Sequence, residues 1–349
     1  MSESRAIRFT EERPRLLGLA YRMLGSRSDA EDVVQEAWIR YAGTADEPDN
    51  PAAWLTTVTS RLALDRLRSA PARRERYVGP WLPEPVRTRY GSGSGAGSDG
   101  GADPAEVVDR AATLTLGFLV VLDTLSPEDR AVFLLADVFA VPFGEIAEIV
   151  GRSPEACRQA ASRARRRIRE AGPPREGTAD DANWDLAGRF AAAVVGGDLD
   201  AAMALLAPDV TLVSDGGPTR HAARRPVVGA DRVARFLINV AAKQPADATV
   251  EMAEINNSPA LISRTADEPP VVMTVEAGHD GRIAAVHMVL APEKLLALDD
   301  DALQWLGRRP PTDDAGAPEA RVDRSAVGAM GRGVDRRPPP VDLRQVKHP

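Results

Sequence analysis

The sequence predicts a multidomain chain: two all-α units, the second closing on a helix-turn-helix, followed by an α+β unit and a disordered tail. Three observations carry that expectation. Apolar residues recur at helical spacing over residues 8–70 and again over about 104–170. Between them runs Gly91-Ser-Gly-Ser-Gly-Ala-Gly-Ser-Asp-Gly-Gly101, a flexible composition without the lysine of a phosphate loop. After Pro173-Pro174 the helical spacing gives way to alternating runs, and beyond Leu298 Pro, Gly, Asp and Arg dominate. These shifts set boundaries of 8–72 and 105–172 for the helical units, 73–104 for a flexible linker, 184–298 for the α+β unit and 299–349 for the tail.

In the first unit, helices are expected over 14–23, 29–42 and 52–68. The last carries Trp54, Leu55, Val58, Leu62, Leu64 and Leu67 as a buried stripe. In the second, 114–125 and 130–138 precede the motif described next. The third reads as helices over 184–195, 199–206 and 230–242, with strands at 210–213, 249–255, 260–263, 271–275 and 283–290.

Residues 142–170 carry the most specific pattern. Gly151 suits the positive φ that ends a short helix over 143–150. Ser153 offers an N-cap hydroxyl and Pro154 suits the first helical position, so a second helix runs to about Glu170. Its apolar stripe is Cys157, Ala160, Ala161, Ala164 and Ile168, small enough for close packing. The opposite face holds Glu155, Arg158, Gln159, Ser162, Arg163, Arg166 and Arg169. On such a helix the early residues reach base edges in the major groove and the later arginines reach phosphates, which makes Arg158 and Gln159 the base-reading candidates.

Composition narrows the class further. No apolar run approaches the ~20 residues that span a bilayer, and residues 1–10 are polar, so a cytoplasmic location without membrane contact is expected. The lone Cys157 forbids an internal disulfide and reads as a small core residue. The net charge of −7 divides into 25 Arg against 26 acids over residues 1–176 and 19 bases against 25 acids beyond. A basic helix on a weakly charged whole neutralises few phosphates, so a larger partner is expected to supply DNA affinity.

Two small helical units joined by a flexible linker, with Asp29-Ala-Glu-Asp-Val-Val-Gln-Glu-Ala-Trp38 in the first and the helix over 153–167 in the second, resemble bacterial sigma-70 type sigma factors of the extracytoplasmic-function group. The resemblance implies that Asp29, Glu31, Asp32, Gln35 and Glu36 dock on the clamp helices of the largest subunit of core RNA polymerase. An acidic face complements a basic coiled coil. It further implies that the loop over 43–50 and the helix after it read the minus-ten element and hold the opened strand, through Asn50, Trp54, Thr57, Arg61, Arg66 and Arg68. Trp54 reads more readily as core than as a stacking platform. Ser153, Glu155, Arg158, Gln159, Ser162, Arg163 and Arg166 would read the minus-thirty-five element of promoter DNA.

The third unit resembles SnoaL-like domains of the nuclear transport factor 2-like fold, which a SigJ-like subgroup of these sigma factors carries. Three landmarks match: Trp81-Leu-Pro-Glu-Pro85, Asp215-Gly-Gly217 and Ala291-Pro-Glu-Lys-Leu295. Pro218 stands where the subgroup usually has a third glycine, and Ala291 where it usually has asparagine. The resemblance implies control in cis, replacing a separate membrane anti-sigma factor, with Trp81, Leu82 and Pro83 contacting Asp215, Gly216, Gly217 and Lys294. SnoaL-like folds also include enzymes, which brings Asp215, His221, His279 and His287 into view. Without a visible partner or shifted pKa these read as turn or surface groups, so no catalysis, cofactor or metal is expected. A small-molecule ligand of this unit stays open as a partner. Two alternatives remain: a ligand-responsive helix-turn-helix repressor, and a SnoaL-like cyclase or isomerase fused to a DNA-binding unit. Neither accounts for residues 8–70.

Overall fold

The computed structural model describes residues 3–74, 79–89, 115–171, 181–296 and 298. The glycine run, the start of the second unit, the spacer after residue 171 and the expected disordered tail lie outside them. The first unit is three helices: α1 (Glu3–Leu24), α2 (Arg27–Ala42) and α3 (Pro51–Arg74). The expected start of α1 at residue 14 was too late. The helix runs through Pro14, and its N-terminal part is held because Phe9 packs on Trp38 with ring centroids 4.8 Å apart. Burial outweighs the one backbone bond that proline removes.

The second unit comprises α4 (Leu116–Asp123), α5 (Pro127–Phe133) continuing into a π-helical turn at Leu134–Val138, α6 (Phe143–Val150) and α7 (Pro154–Ala171). Gly151 closes α6 at φ 71°, and Ser153 Oγ accepts the Ala156 N–H to open α7. The stretch expected to be a single helix over 130–138 therefore starts earlier and changes hydrogen-bond pitch at Leu134. Helix α4, Leu-Gly-Phe-Leu-Val-Val-Leu-Asp, is apolar all round and is buried on two sides.

The third unit has α8 (Asp181–Val195), α9 (Leu199–Leu205), β2 (Leu206–Asp215), β3 (Val227–Val228), α10 (Ala230–Ala241) and strands β4 (Thr249–Ile255), β5 (Ser258–Arg264), β6 (Val271–Ala277) and β7 (Ile283–Val289). With β1 (Arg87–Arg89) they form one sheet in the order β1-β4-β5-β6-β7-β2-β3. Only β2 and β7 run parallel. Asn256 and Asn257, at φ 52° and 56°, make the two-residue turn between β4 and β5.

Strand β1 corrects the reading of residues 87–89 as part of the flexible linker. Arg87 and Arg89 pair with Ile255 and Glu254, and Thr88 Oγ1 donates to Glu254 Oε1 at 2.8 Å. The preceding residues 80–86 lie against the third unit as an ordered strap. An edge strand whose partner lies more than 160 residues away leaves no local periodicity to read.

Three clusters make the core. One joins the first two units without a break, from Leu16, Tyr21 and Leu64 to Phe133, Ile146 and Ile168. The linker between them does not keep the two units apart in this conformation. A second cluster packs α8, α9 and α10 on one sheet face through Phe190, Leu205 and Leu237. The third lies on the opposite face, where Leu82 of the strap and Leu116 of α4 meet Ile255, Ile262, Val272 and Val289. The sheet thus gathers the strap and α4 as well as its own helices.

Candidate functional site

Helix α7 presents the basic face that the sequence marks. Its apolar stripe, Cys157 to Ile168, is buried against the second unit, which turns Ser153, Glu155, Arg158, Gln159, Ser162, Arg163 and Arg166 to solvent. Burial pushes the Cys157 thiol up, away from the reactive thiolate. Two of the arginines have acidic company: Arg163 donates to Asp129 at 2.9 Å, and Arg166 lies 3.8 Å from Glu170. Arg158 sits over the Phe143 ring at 6.0 Å, near the N-terminal end of α7.

On α2 the acidic residues spread from half-buried to exposed, with Asp32 and Gln35 the most open. A groove of about 290 Å³ between α1 and α2 is lined by Phe9, Arg13, Glu31, Val34, Gln35 and Trp38. Arg66 of α3 bridges Asp29 at 2.5 Å and Asp32 at 2.8 Å. The sequence assigned these residues to two different partners, and the fold places them on one another.

The other two α3 cations assigned to the minus-ten strand, Arg61 and Arg68, are engaged as well. Arg61 donates to the Glu148 carbonyl of α6 at 2.9 Å, and Arg68 pairs with Glu128 of α5 at 3.0 Å. Asn50 caps α3 by accepting the Ala53 N–H. Trp54 packs against the shared core with its ring 5.7 Å from Tyr41, and Thr57 is half-buried beside it. Of the α3 residues expected to meet single-stranded DNA, Arg61 and Arg68 therefore face the second unit here, while Arg66 faces α2.

The three landmarks of the third unit converge on one buried carboxylate. Asp215, at the end of β2, accepts the Leu82 N–H at 2.7 Å, the Gly217 N–H at 2.9 Å and Lys294 Nζ at 2.6 Å. Lys294 also donates to the Leu82 carbonyl at 2.6 Å and lies 4.3 Å from the Trp81 ring centroid. Burial pushes the Lys294 ammonium down, and the Asp215 charge beside it opposes that shift. Gly216 lies against the Arg220 carbonyl, where a Cβ would fall within 2.2 Å, so a side chain there would open the turn. Pro83 links Leu82 to Glu84, which reaches in the other direction, toward α2.

Sequence reasoning missed a second polar cluster on the same sheet face. Glu276 on β6 accepts the Gly117 N–H of α4 at 2.6 Å, and His287 Nδ1 on β7 lies 3.7 Å from Glu276 Oε1. His287 was weighed from sequence only as a surface or turn group, and the structure buries it; His221 and His279 are exposed. Nothing local in the sequence marks Glu276, since its partner lies in another unit. Glu84, Tyr21 and Asn256 were missed as well, although Asn256-Asn257 between two apolar runs is a hairpin signal.

No helix among the described residues is long and apolar enough to cross a membrane, and no group of three or more His, Cys, Asp or Glu among them is disposed to hold a metal ion.

Two family models match the chain: Sigma-70 region 2 over residues 8–73 and Sigma-70, region 4 over residues 117–168. The chain is 45% identical over 236 residues to the ECF RNA polymerase sigma factor SigJ of Mycobacterium tuberculosis, covering 66% of this chain and 72% of that protein. It is 33% identical over 287 residues to the probable ECF RNA polymerase sigma factor SigI of the same species, covering 80% and 91%. The crystal structure of Mycobacterium tuberculosis SigJ aligns with a TM-score of 0.65 at 34% identity, over 85% of this chain and 100% of that one.

Proposed function

This chain belongs to the extracytoplasmic-function RNA polymerase sigma factors, in the SigJ-like subgroup, and we propose that its third unit controls their shared activity in cis through the Asp215 site. As a sigma factor it binds core RNA polymerase and directs transcription initiation at specific promoters.

The observation that carries the regulatory reading is Asp215 holding the strap between the two helical units, by the Leu82 N–H, with Lys294 closing on the Leu82 carbonyl. Whatever loosens that hold alters the geometry between the units. A buried aspartate already satisfied by an ammonium and two amides is a structural clamp and a poor general base, which favours regulation over catalysis.

The finer assignments follow the same logic. Asp29, Glu31, Asp32, Gln35 and Glu36 dock on the polymerase clamp helices, and the exposed α7 face reads the minus-thirty-five duplex. Asn50, Thr57, Arg61, Arg66 and Arg68 serve the minus-ten strand, with Trp54 supporting them from the core. To do so, Arg61 and Arg68 exchange Glu148 and Glu128 for phosphates, which requires the second unit to leave α3. The two promoter elements lie tens of ångströms apart on B-form DNA at 3.4 Å per base pair, so units sharing one core cannot read both. The closed form is a resting state, and the strap clamp contributes to holding it.

The test is transcription by core RNA polymerase from a library of promoter fragments, with the full chain and its Lys294→Ala variant. Specific initiation that changes in rate or promoter choice in the variant supports control in cis. Identical transcription from a variant that has lost the Lys294–Leu82 contact sinks it.

A further inference from the structure

We propose that Glu84 is a positioning residue for the polymerase-docking helix: by capping the N-terminus of α2 from the strap, it makes polymerase affinity depend on whether the third unit holds that strap. The inference rests on the reading of α2 as the docking helix.

The first amides of a helix have no partner inside it. At α2, Ser26 Oγ accepts the Asp29 N–H at 3.2 Å. The Arg27 and Ser28 N–H groups go elsewhere, to Glu84 Oε2 at 2.7 and 3.4 Å, while Ser26 Oγ donates to Glu84 Oε1 at 2.7 Å. A carboxylate from a different segment thus occupies the positive end of the helix dipole, where negative charge is favoured. The backbone of Glu84 is fixed too: its N–H donates to the Gly25 carbonyl at 2.8 Å, and its carbonyl accepts from Tyr21 Oη at 2.6 Å. Gly25 is what admits the strap, because its φ is 67° and a Cβ there would fall 2.7 Å from the Trp81 ring.

The other end of this short segment belongs to the third unit. Leu82 is clamped between Asp215 and Lys294, and Pro83 joins it stiffly to Glu84. Asn256 Nδ2 adds a second tie, donating to Tyr21 Oη at 2.7 Å. Releasing Leu82 therefore removes one of the holds that keep Glu84 on α2, leaving its backbone bonds to Gly25 and Tyr21. The first turn of that helix carries Asp29, and Glu31 and Asp32 follow in the turn after it, so three of the five docking side chains lie next to the capped end, which frays when uncapped. The third unit acts in this way on a polymerase-facing surface that it does not itself line.

The experiment uses the full chain with Glu84→Ala, with the double replacement Asp215→Ala/Lys294→Met, which strands neither buried charge, and with all three changes. Core polymerase affinity and amide hydrogen exchange are measured. Glu84→Ala is expected to weaken binding by about three- to tenfold, from the usual worth of a cap, and to speed exchange at Arg27 and Ser28. The Asp215→Ala/Lys294→Met chain should show both effects with Glu84 intact, and the triple variant should bind no worse than the double. Additive losses, or unchanged exchange at Arg27 and Ser28 in the double variant, overturn the coupling. A wild-type chain that does not bind polymerase removes the docking reading and this inference with it. Binding that responds to the Asp215 and Lys294 changes but not to Glu84→Ala removes this inference alone.

Discussion

Gly117 and Glu276 join the second unit to the third: the Gly117 N–H donates to Glu276 Oε1 at 2.6 Å across 159 residues of sequence. The approach is so close that a Cβ on Gly117 would stand 2.0 Å from Glu276 Oε2. A first-turn amide of α4 is thereby satisfied by a carboxylate of the third unit's sheet.

Replacing Gly117 with alanine should pry α4 from that sheet. The carboxylate cannot step aside without giving up the amide and pushing into a packed face, so a cost of about 1–3 kcal/mol is expected for the overpacking. Chemical denaturation reads the cost, and hydrogen exchange in α4 reads the undocking. A variant with wild-type stability and unchanged α4 protection would show that the contact is dispensable.

The Glu276–His287 pair sets an unusual pH profile. Burial pushes the Glu276 carboxyl up from 4.5 to about 7, against the lowering effect of the Gly117 N–H. Burial pushes the His287 imidazole down from 6.5 to about 4. The raised carboxyl contributes stability that is full below pH 4.5 and is lost as pH rises toward 7. The lowered imidazole contributes stability that is full above pH 6.5 and is lost as pH falls toward 4. Between pH 4.5 and 6.5 the folded and unfolded forms hold the same number of protons on the pair, so their slopes cancel. Glu276→Gln should expose the imidazole slope, a loss of up to about 1.4 kcal/mol per pH unit on acidification. His287→Gln should show the opposite slope, losing stability as pH rises from 4.5 toward 7. Denaturation of the full chain across this range checks the assignment, and equally flat profiles in both variants would contradict it.

On the proposed reading of α7, Arg158 reads a base and Arg166 contacts phosphate. Removing Arg158 should cost about 1–3 kcal/mol on the preferred minus-thirty-five duplex and relax preference at one position. Removing Arg166 should weaken all duplexes alike and reduce the slope of log affinity against log salt by about one. Holoenzyme binding to a duplex library at several salt concentrations distinguishes them. Loss of sequence preference in the Arg166 variant alone would reverse the roles.

Some elements were legible because their causes are local. Gly151, Ser153 and Pro154 dictate a turn and a helix start from side-chain chemistry within four residues, and α6 and α7 fall where those signals put them. The apolar period of α10 and the alternation of β4 served equally well, whereas α3 runs on to Arg74, past its expected end at residue 68. Strand β1 was not legible, because three residues pairing with a distant edge carry no period of their own. Arg61 and Arg68 were rightly seen as cations, yet their present partners could not be seen, because Glu148 and Glu128 come near only through docking.

By itself the sequence determined the two helical units, the basic reading helix, the acidic face of α2, the α+β nature of the third unit and the landmarks around Asp215. The elements follow from propensity, capping and periodicity, whose physical range is a turn or two of chain, and the landmarks around Asp215 follow from the resemblance to the SigJ-like subgroup. Only the tertiary structure decided that the first two units share a core, that α4 lies against the third unit's sheet, that Glu84 caps α2, and that Glu276 and His287 are buried together. Those contacts depend on which surfaces exclude water from one another, and burial of that kind joins residues that sequence separation keeps apart.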